Sequence, residues 1–140
     1  MNVISLLIPK QNVAYICEND TIRQGLEKMR ANGYTAIPVL DKDGMYVGTV
    51  SEGDFLWKII DNEDNSIRSK EKEHIKDIIR EGFNPAADIF ISMDELLQRS
   101  INQSFIPVTD DRGAFVGIVT RQIIIRTFLA NNKQGTATQS

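Results

Sequence analysis

Two rhythms of apolar and polar residues succeed each other along this chain, and the same succession occurs twice. Val13–Cys17 is a short apolar run of strand length. Thr21 then stands as a cap before a helix over 22–32, in which Ile22, Leu26 and Met29 form one apolar stripe and Gly33 ends the element. Thr35–Leu40 reads as a second strand. Its Pro38 donates no backbone hydrogen bond, which suits an edge or an irregular spot where something else approaches. Asp41-Lys-Asp-Gly44 is a hairpin turn with its glycine where positive φ is needed. Tyr46–Val50 returns antiparallel, and a helix follows from Ser51 to about Ile60. The second succession gives elements at 86–91, 93–102, 105–109, 114–119 and 120–130, preceded by a helix near 74–80.

The likeness extends to residue identities. Ile37–Asp54 lies over Ile106–Ile123 at a constant offset of 69, and eight of the 18 pairs are identical. Tyr46 with Phe115 and Ser51 with Thr120 are conservative besides. Upstream the offset is 71, matching Ile4, Leu7 and Ile8 to Ile75, Ile78 and Ile79, and Thr21 to Ser92. This is a tandem duplication. The expected class is α+β, built from two β-α-β-β-α units: repeat one over 1–62, a charged linker over 63–73, repeat two over 74–130, and a tail over 131–140 with no apolar anchor and no expected order. A unit of this size is too small to bury a core alone, so the two copies are expected to pack on each other.

Composition narrows the function classes. With 16 basic and 19 acidic residues in 140, the net charge of −3 offers no basic field for nucleic acid or an anionic membrane. No apolar run approaches the roughly 20 residues of a membrane helix, and the N-terminus lacks the basic and small-residue features of a signal peptide. Cys17, the only cysteine, excludes a disulfide framework and a Cys-based zinc site and fits the reducing cytoplasm. His74 is the only histidine and sits in a charged stretch. With no Ser-His-Asp set, no metal-ligand cluster and no phosphate loop, the chain does not read as an enzyme and calls for no cofactor.

The string Gly48-Thr-Val-Ser-Glu-Gly-Asp54 has two physical readings. A helix starting at Ser51 presents unpaired N–H groups and the positive end of its dipole to an anion, with the Ser51 hydroxyl as a further donor. Asp54, one turn on, would then accept from the hydroxyls of a ribose. Alternatively Ser-x-x-Asp is a capping box, in which Asp54 bonds back to the Ser51 N–H. The cap reading predicts a carboxylate or amide at the matching position of repeat two, where Ile123 stands.

Repeated units carrying Ile-Pro-Val, then Asp-x-x-Gly, then Val-Gly-x-Val-[Ser/Thr] resemble the cystathionine β-synthase (CBS) domain pair, the Bateman module, over residues 1–130. Gly33–Asp41 together with Val119-Thr-Arg121 is similar to the small stand-alone CBS proteins that bind cyclic di-AMP, although Gln122 follows Arg121 where a second basic residue would strengthen phosphate binding. The resemblance implies two repeats about a pseudo-two-fold axis, with adenosine-containing ligands in the clefts between them. It favours the ribose role for Asp54, and implies a regulatory adenine-nucleotide sensor, AMP, ADP, ATP or cyclic di-AMP being the ligand classes, that signals in trans to a partner protein. A ligand-independent interaction module is the alternative. The adenine is expected against Tyr34-Thr-Ala-Ile-Pro38, with Ala36 keeping the wall thin, Pro38 leaving an irregular edge, and backbone groups near Ala14 and Tyr15 reading the base. Thr120 and Arg121 are expected from across the pseudo-dyad, Arg121 as a phosphate clamp, and Lys10 as a further phosphate contact. Phe105 in place of Ala36 and Ile123 in place of Asp54 predict one working cleft built mainly from repeat one and a second that is closed or degraded. The apolar helix Ile123–Leu129 predicts a homodimer face.

Overall fold

In the computed structural model of the chain, residues 2–61 and 73–139 are described. The charged linker expected at 63–73 therefore lies, Glu73 apart, outside the described residues.

Repeat one contains β2 (Ile16–Cys17), α1 (Ile22–Asn32), β3 (Ala36–Leu40), β4 (Tyr46–Ser51) and α2 (Glu52–Asp61). Repeat two contains β5 (Ala87–Asp88), α3 (Met93–Arg99), β6 (Phe105–Thr109), β7 (Phe115–Thr120) and α4 (Arg121–Gln139). Local chemistry places the boundaries. Thr21 and Gln24 form a reciprocal capping box at the start of α1, and Gly33, at φ +65°, ends the helix in a left-handed conformation that costs glycine little. Ser92 caps α3 through the Glu95 N–H. The Asp41 carboxylate accepts from the N–H groups of Asp43 and Met45, and Asp110 accepts from Arg112 and Ala114 in the same way. One Asx-turn therefore closes both hairpins.

The duplication is repeated in the hydrogen-bond register. Ala36 pairs with Ser51 and Pro38 with Thr49 in one hairpin, and Phe105 with Thr120 and Pro107 with Ile118 in the other, each with a bulge before the last pair. Pro38 is on the middle strand of the β2-β3-β4 sheet, not on an edge. The proline is tolerated because the parallel pairing of β2 begins only at Val39. Met45 bridges antiparallel to Ala114, its own counterpart at offset 69, flanked by Tyr46 N–H to Gly113 O at 3.2 Å and Phe115 N–H to Gly44 O at 3.0 Å. Residues that pair with their own duplicates mark a pseudo-two-fold axis, and the molecule is the α+β pair of repeats that the sequence predicts.

The units are not contiguous in sequence, however. A 3₁₀ turn at Val3–Leu6 followed by β1 (Ile8–Pro9) joins repeat two, where β1 pairs antiparallel with β7 and Val3 and Leu6 are buried beside Leu96, Ile106 and Ile124. The matching turn at Ile75–Ile78 joins repeat one, where Ile75 is buried beside Ile16, Ile37 and Phe55, with Ile78 and Ile79 packed on the outside. The leading segments are thus exchanged between the two cores in space, while the repeats keep their order along the chain. A third cluster, Val13 and Leu40 with Phe115 and Ile118, fastens the halves together. Other bounds shift by local rules. The strand expected over 13–17 pairs only at Ile16–Cys17, the helix expected near 74–80 is a 3₁₀ turn, and α2 starts at Glu52 because Ser51 is still in the β4 ladder. The tail expected to lack order is helical as far as Gln139: without a proline, hydrogen bonding propagates past the last apolar anchor. Among the described residues no helix is long and apolar enough to cross a membrane.

Candidate functional site

The start of β3 and the end of β7 meet across the pseudo-dyad and leave a cleft of about 340 Å³. Tyr34, Thr35, Ala36 and Pro38 line one side of it, Ser104, Phe105, Ile118 and Thr120 the other, and Ile8 of the exchanged segment closes an end. Four of the adenine-wall residues expected from sequence are therefore brought together, with Thr120 reaching them from the other repeat. Phe105 does not fill the space; it forms the wall facing Ala36. The mostly apolar lining with a few hydroxyls suits a flat heterocycle more than a sugar or an ion. Tyr34 also lines an adjoining groove of about 390 Å³ with Ala14 and Tyr15. There the Lys10 ammonium lies 5.4 Å from the Tyr15 ring centroid, and Tyr15 packs edge-on against Phe115.

Three expected site residues are engaged elsewhere. Asp54 is buried, and its Oδ2 accepts from the Ser51 N–H at 2.8 Å and the Ser51 hydroxyl at 3.0 Å, while the Ser51 hydroxyl accepts from the Asp54 N–H at 3.3 Å. The capping box is therefore formed. In repeat two only its hydroxyl half exists, the Ile123 N–H donating to Thr120. The remaining oxygen of Asp54 accepts from Arg80 Nε at 2.6 Å. Each carboxylate oxygen of Asp54 is thus bonded, and neither Asp54 nor Ser51 is among the residues lining the cleft. Arg121 likewise turns away: its Nε donates to Ser100 O at 2.6 Å. The unpaired carbonyls at the end of α3 carry partial negative charge, and the guanidinium is captured there before any ligand competes.

Asp54 meets Arg80 because the exchanged 3₁₀ turn carries Arg80 to repeat one, where its guanidinium also lies over the Phe83 ring at 3.9 Å. Beside it runs a closed hydrogen-bond chain. Gln103 donates to Asn84 Oδ1, the Asn84 amide donates to Thr49, and Tyr46, bonded to Thr49 at 2.7 Å, donates to the Asn84 carbonyl. Burial pushes the Tyr46 phenol up to about 12, against a smaller lowering by Thr49, so it stays a neutral donor at physiological pH. The groove here has a volume of about 600 Å³, and its buried amides are bonded to one another. Arg80, Asn84 and Gln103 were not found from sequence. The upstream offset of 71 did place Ile79 opposite Ile8, but nothing in it signals that the two segments change places. Among the described residues no cluster of three or more His, Cys, Asp or Glu side chains is arranged to hold a metal.

Comparison with known proteins agrees with this architecture. An uncharacterized protein of Methanocaldococcus jannaschii is 27% identical, the match covering 87% of this chain and 89% of the relative. The Listeria monocytogenes CbpB protein in complex with c-di-AMP superposes with a TM-score of 0.80 at 21% identity, over 94% of this chain and 97% of that one. CBSX2 of Arabidopsis thaliana in complex with AMP superposes at 0.76 and 21% identity, over 94% and 98%. The CBS domain family model matches twice, at residues 4–61 and 75–130. These two matches cover most of the chain, so the chain belongs to the CBS domain family.

Proposed function

We propose that the protein is a non-catalytic regulatory module of the cytoplasm that binds an adenine nucleotide in the cleft between its repeats and signals in trans to a partner protein. The observation that carries this reading is the cleft itself: apolar walls from both repeats, open beside Ala36, with the Thr35 and Thr120 hydroxyls at its rim. The CbpB and CBSX2 structures support the chemical class, since those relatives hold c-di-AMP and AMP. A ligand touching β3 and β7 together favours one relative position of the repeats, and this bias is what a partner reads. A melting screen against AMP, ADP, ATP, cyclic di-AMP and guanine nucleotides tests the proposal. At a hundredfold over its dissociation constant the right ligand adds about 2.7 kcal/mol, which lifts melting by about 9 °C at this chain length. No shift with any adenine nucleotide defeats the reading.

The assembled unit in this proposal is a homodimer. Helix Ile123–Leu129 is not uniformly available, because Ile124 is buried in the core and Ile123 packs against it. Ile125, Phe128 and Leu129 remain exposed, and α2 exposes Leu56, Trp57 and Ile60. Leu56 and Ile60 are the offset-69 counterparts of Ile125 and Leu129, so the pseudo-dyad relates the two patches and makes the combined face suited to a second copy. Sedimentation velocity on the wild type is expected to give a dimer, and Trp57→Glu with Leu129→Glu a folded monomer. A wild-type monomer at tens of micromolar removes the proposal.

A further inference from the structure

The two repeats are copies, so a feature present in one groove and absent from its counterpart is informative. The groove lined by Gln11, Asn12, Tyr15, Lys28, Asn32 and Tyr34 contains no carboxylate. The Lys28 ammonium is 5.3 Å from the Tyr15 ring centroid and the Lys10 ammonium 5.4 Å, so the two cations are no farther apart than about twice that distance. Neither has a carboxylate partner among the described residues. Two ammonium groups gathered on one aromatic ring repel each other and gain only the weak attraction of its face.

The counterpart groove in repeat two is built differently. At offset 71 Lys10 is matched by Glu81 and Lys28 by Arg99. Arg99 is held by the Pro85 and Ala86 carbonyls at 3.3 and 2.8 Å, and Glu95 joins the lining. The cation of repeat two therefore has a structural post, whereas the two cations of repeat one have none. Their groove meets the cleft at Tyr34, which lines both.

We infer that the groove at Tyr15, with Lys28 in its wall and the Lys10 ammonium beside the same ring, is an anion subsite for phosphoryl groups, and that the ligand of the adjoining cleft carries at least two of them. This rests on the adenine-nucleotide reading above and deepens it. The base lies beside Ala36, the chain of the ligand passes over Tyr34, and the phosphoryl oxygens meet the two ammonium groups and the amide donors of Asn12 and Asn32. Linear diphosphates and cyclic dinucleotides share this chemistry. Since each exposed cation contributes modestly, a selectivity for two phosphoryl groups over one on the order of tenfold is expected.

Titration calorimetry with AMP, ADP, cyclic di-AMP and inorganic pyrophosphate on the wild type and on Lys10→Met/Lys28→Met tests the subsite. The wild type is expected to bind ADP or cyclic di-AMP about tenfold more tightly than AMP, the better of the two identifying the linear or the cyclic ligand, and in the double variant that ratio falls to within twofold. Lys28 is exposed and Lys10 half-buried, and an unchanged apo melting temperature verifies the fold. A ratio equal in both proteins, or no preference in the wild type, overturns the subsite while leaving the adenine reading intact. Pyrophosphate bound by the wild type and lost in the double variant, with no nucleotide bound at all, overturns the adenine reading and keeps the subsite. Lys28→Glu, which reverses the charge, is expected to widen the loss; no effect from that reversal also counts against the subsite.

Discussion

Gly117→Ala is expected to destabilise the protein by about 3–5 kcal/mol, read as a large drop in the urea midpoint with an unchanged slope, since it separates β1 from β7. A Cβ at position 117 falls 2.2 Å from the carbonyl oxygen of Ile8 and 3.0 Å from the Leu7 side chain. The colliding oxygen is backbone, so no rotamer change relieves it. Either the pairing of Ile8 with Ile118 and Pro9 with Gly117 opens, or the sheet distorts. Opening that pair also loosens Val3 and Leu6, whose burial is worth roughly 1.5–3 kcal/mol each. Gly48 supplies an internal comparison. Its added Cβ meets Ile79 Cγ2 at 2.5 Å, but that is a side-chain methyl that can rotate. Gly48→Ala is expected to cost about 1–2 kcal/mol. If the two substitutions cost the same, the exchanged segment is not held as tightly on repeat two as its register implies.

Ala36→Phe is expected to abolish nucleotide-induced stabilisation while leaving the apo protein folded. The duplication shows why the fold tolerates it: Phe105 occupies the same position of the same hairpin in repeat two and pairs with Thr120 as Ala36 pairs with Ser51. A second ring facing Phe105 would fill much of the 340 Å³ cleft. A shift of several degrees in the wild type is thus expected to fall to zero in the variant, a loss of at least a hundredfold in affinity. An Ala36→Phe protein that keeps its full ligand shift places the nucleotide elsewhere, and the groove beside Asn84 and Gln103 becomes the next site to test. Asp54→Ala is not equivalent, because it removes a helix cap and the partner of Arg80 along with any contact to ligand.

The hairpins show how far local rules reach. Asp41 and Asp110, Gly44 and Gly113, and the bulged registers that follow were legible because each involves residues within a few positions of one another, and the duplication displays every rule twice. The caps at Thr21 and Ser92 belong to the same class. The candidate cleft was legible in part. The adenine wall is one continuous run, Tyr34–Pro38, and it does line the cleft with Thr120. Ser51, Asp54 and Arg121 are bonded outside its lining. Asp54 lies in the same repeat and only a short way along the chain, yet its carboxylate bonds to Arg80. Arg121 adjoins Thr120, yet the end of α3 takes its guanidinium.

By itself the sequence determined the duplication, the order of elements, the turns and caps, and the small residue beside the cleft, all encoded in spacing and in short-range hydrogen bonding. Tertiary structure alone decided that the two leading segments change places and that each carries its neighbours to the opposite repeat. The physical reason is degeneracy. Ile4, Leu7 and Ile8 are as apolar as Ile75, Ile78 and Ile79, so either set satisfies either core by composition, and the seat of each segment over Gly117 or Gly48 appears only in three dimensions. Once that choice is made, Arg80 arrives at Asp54 while Lys10 arrives at Tyr15, and of two grooves of common ancestry one has a carboxylate beside its cation and the other has none.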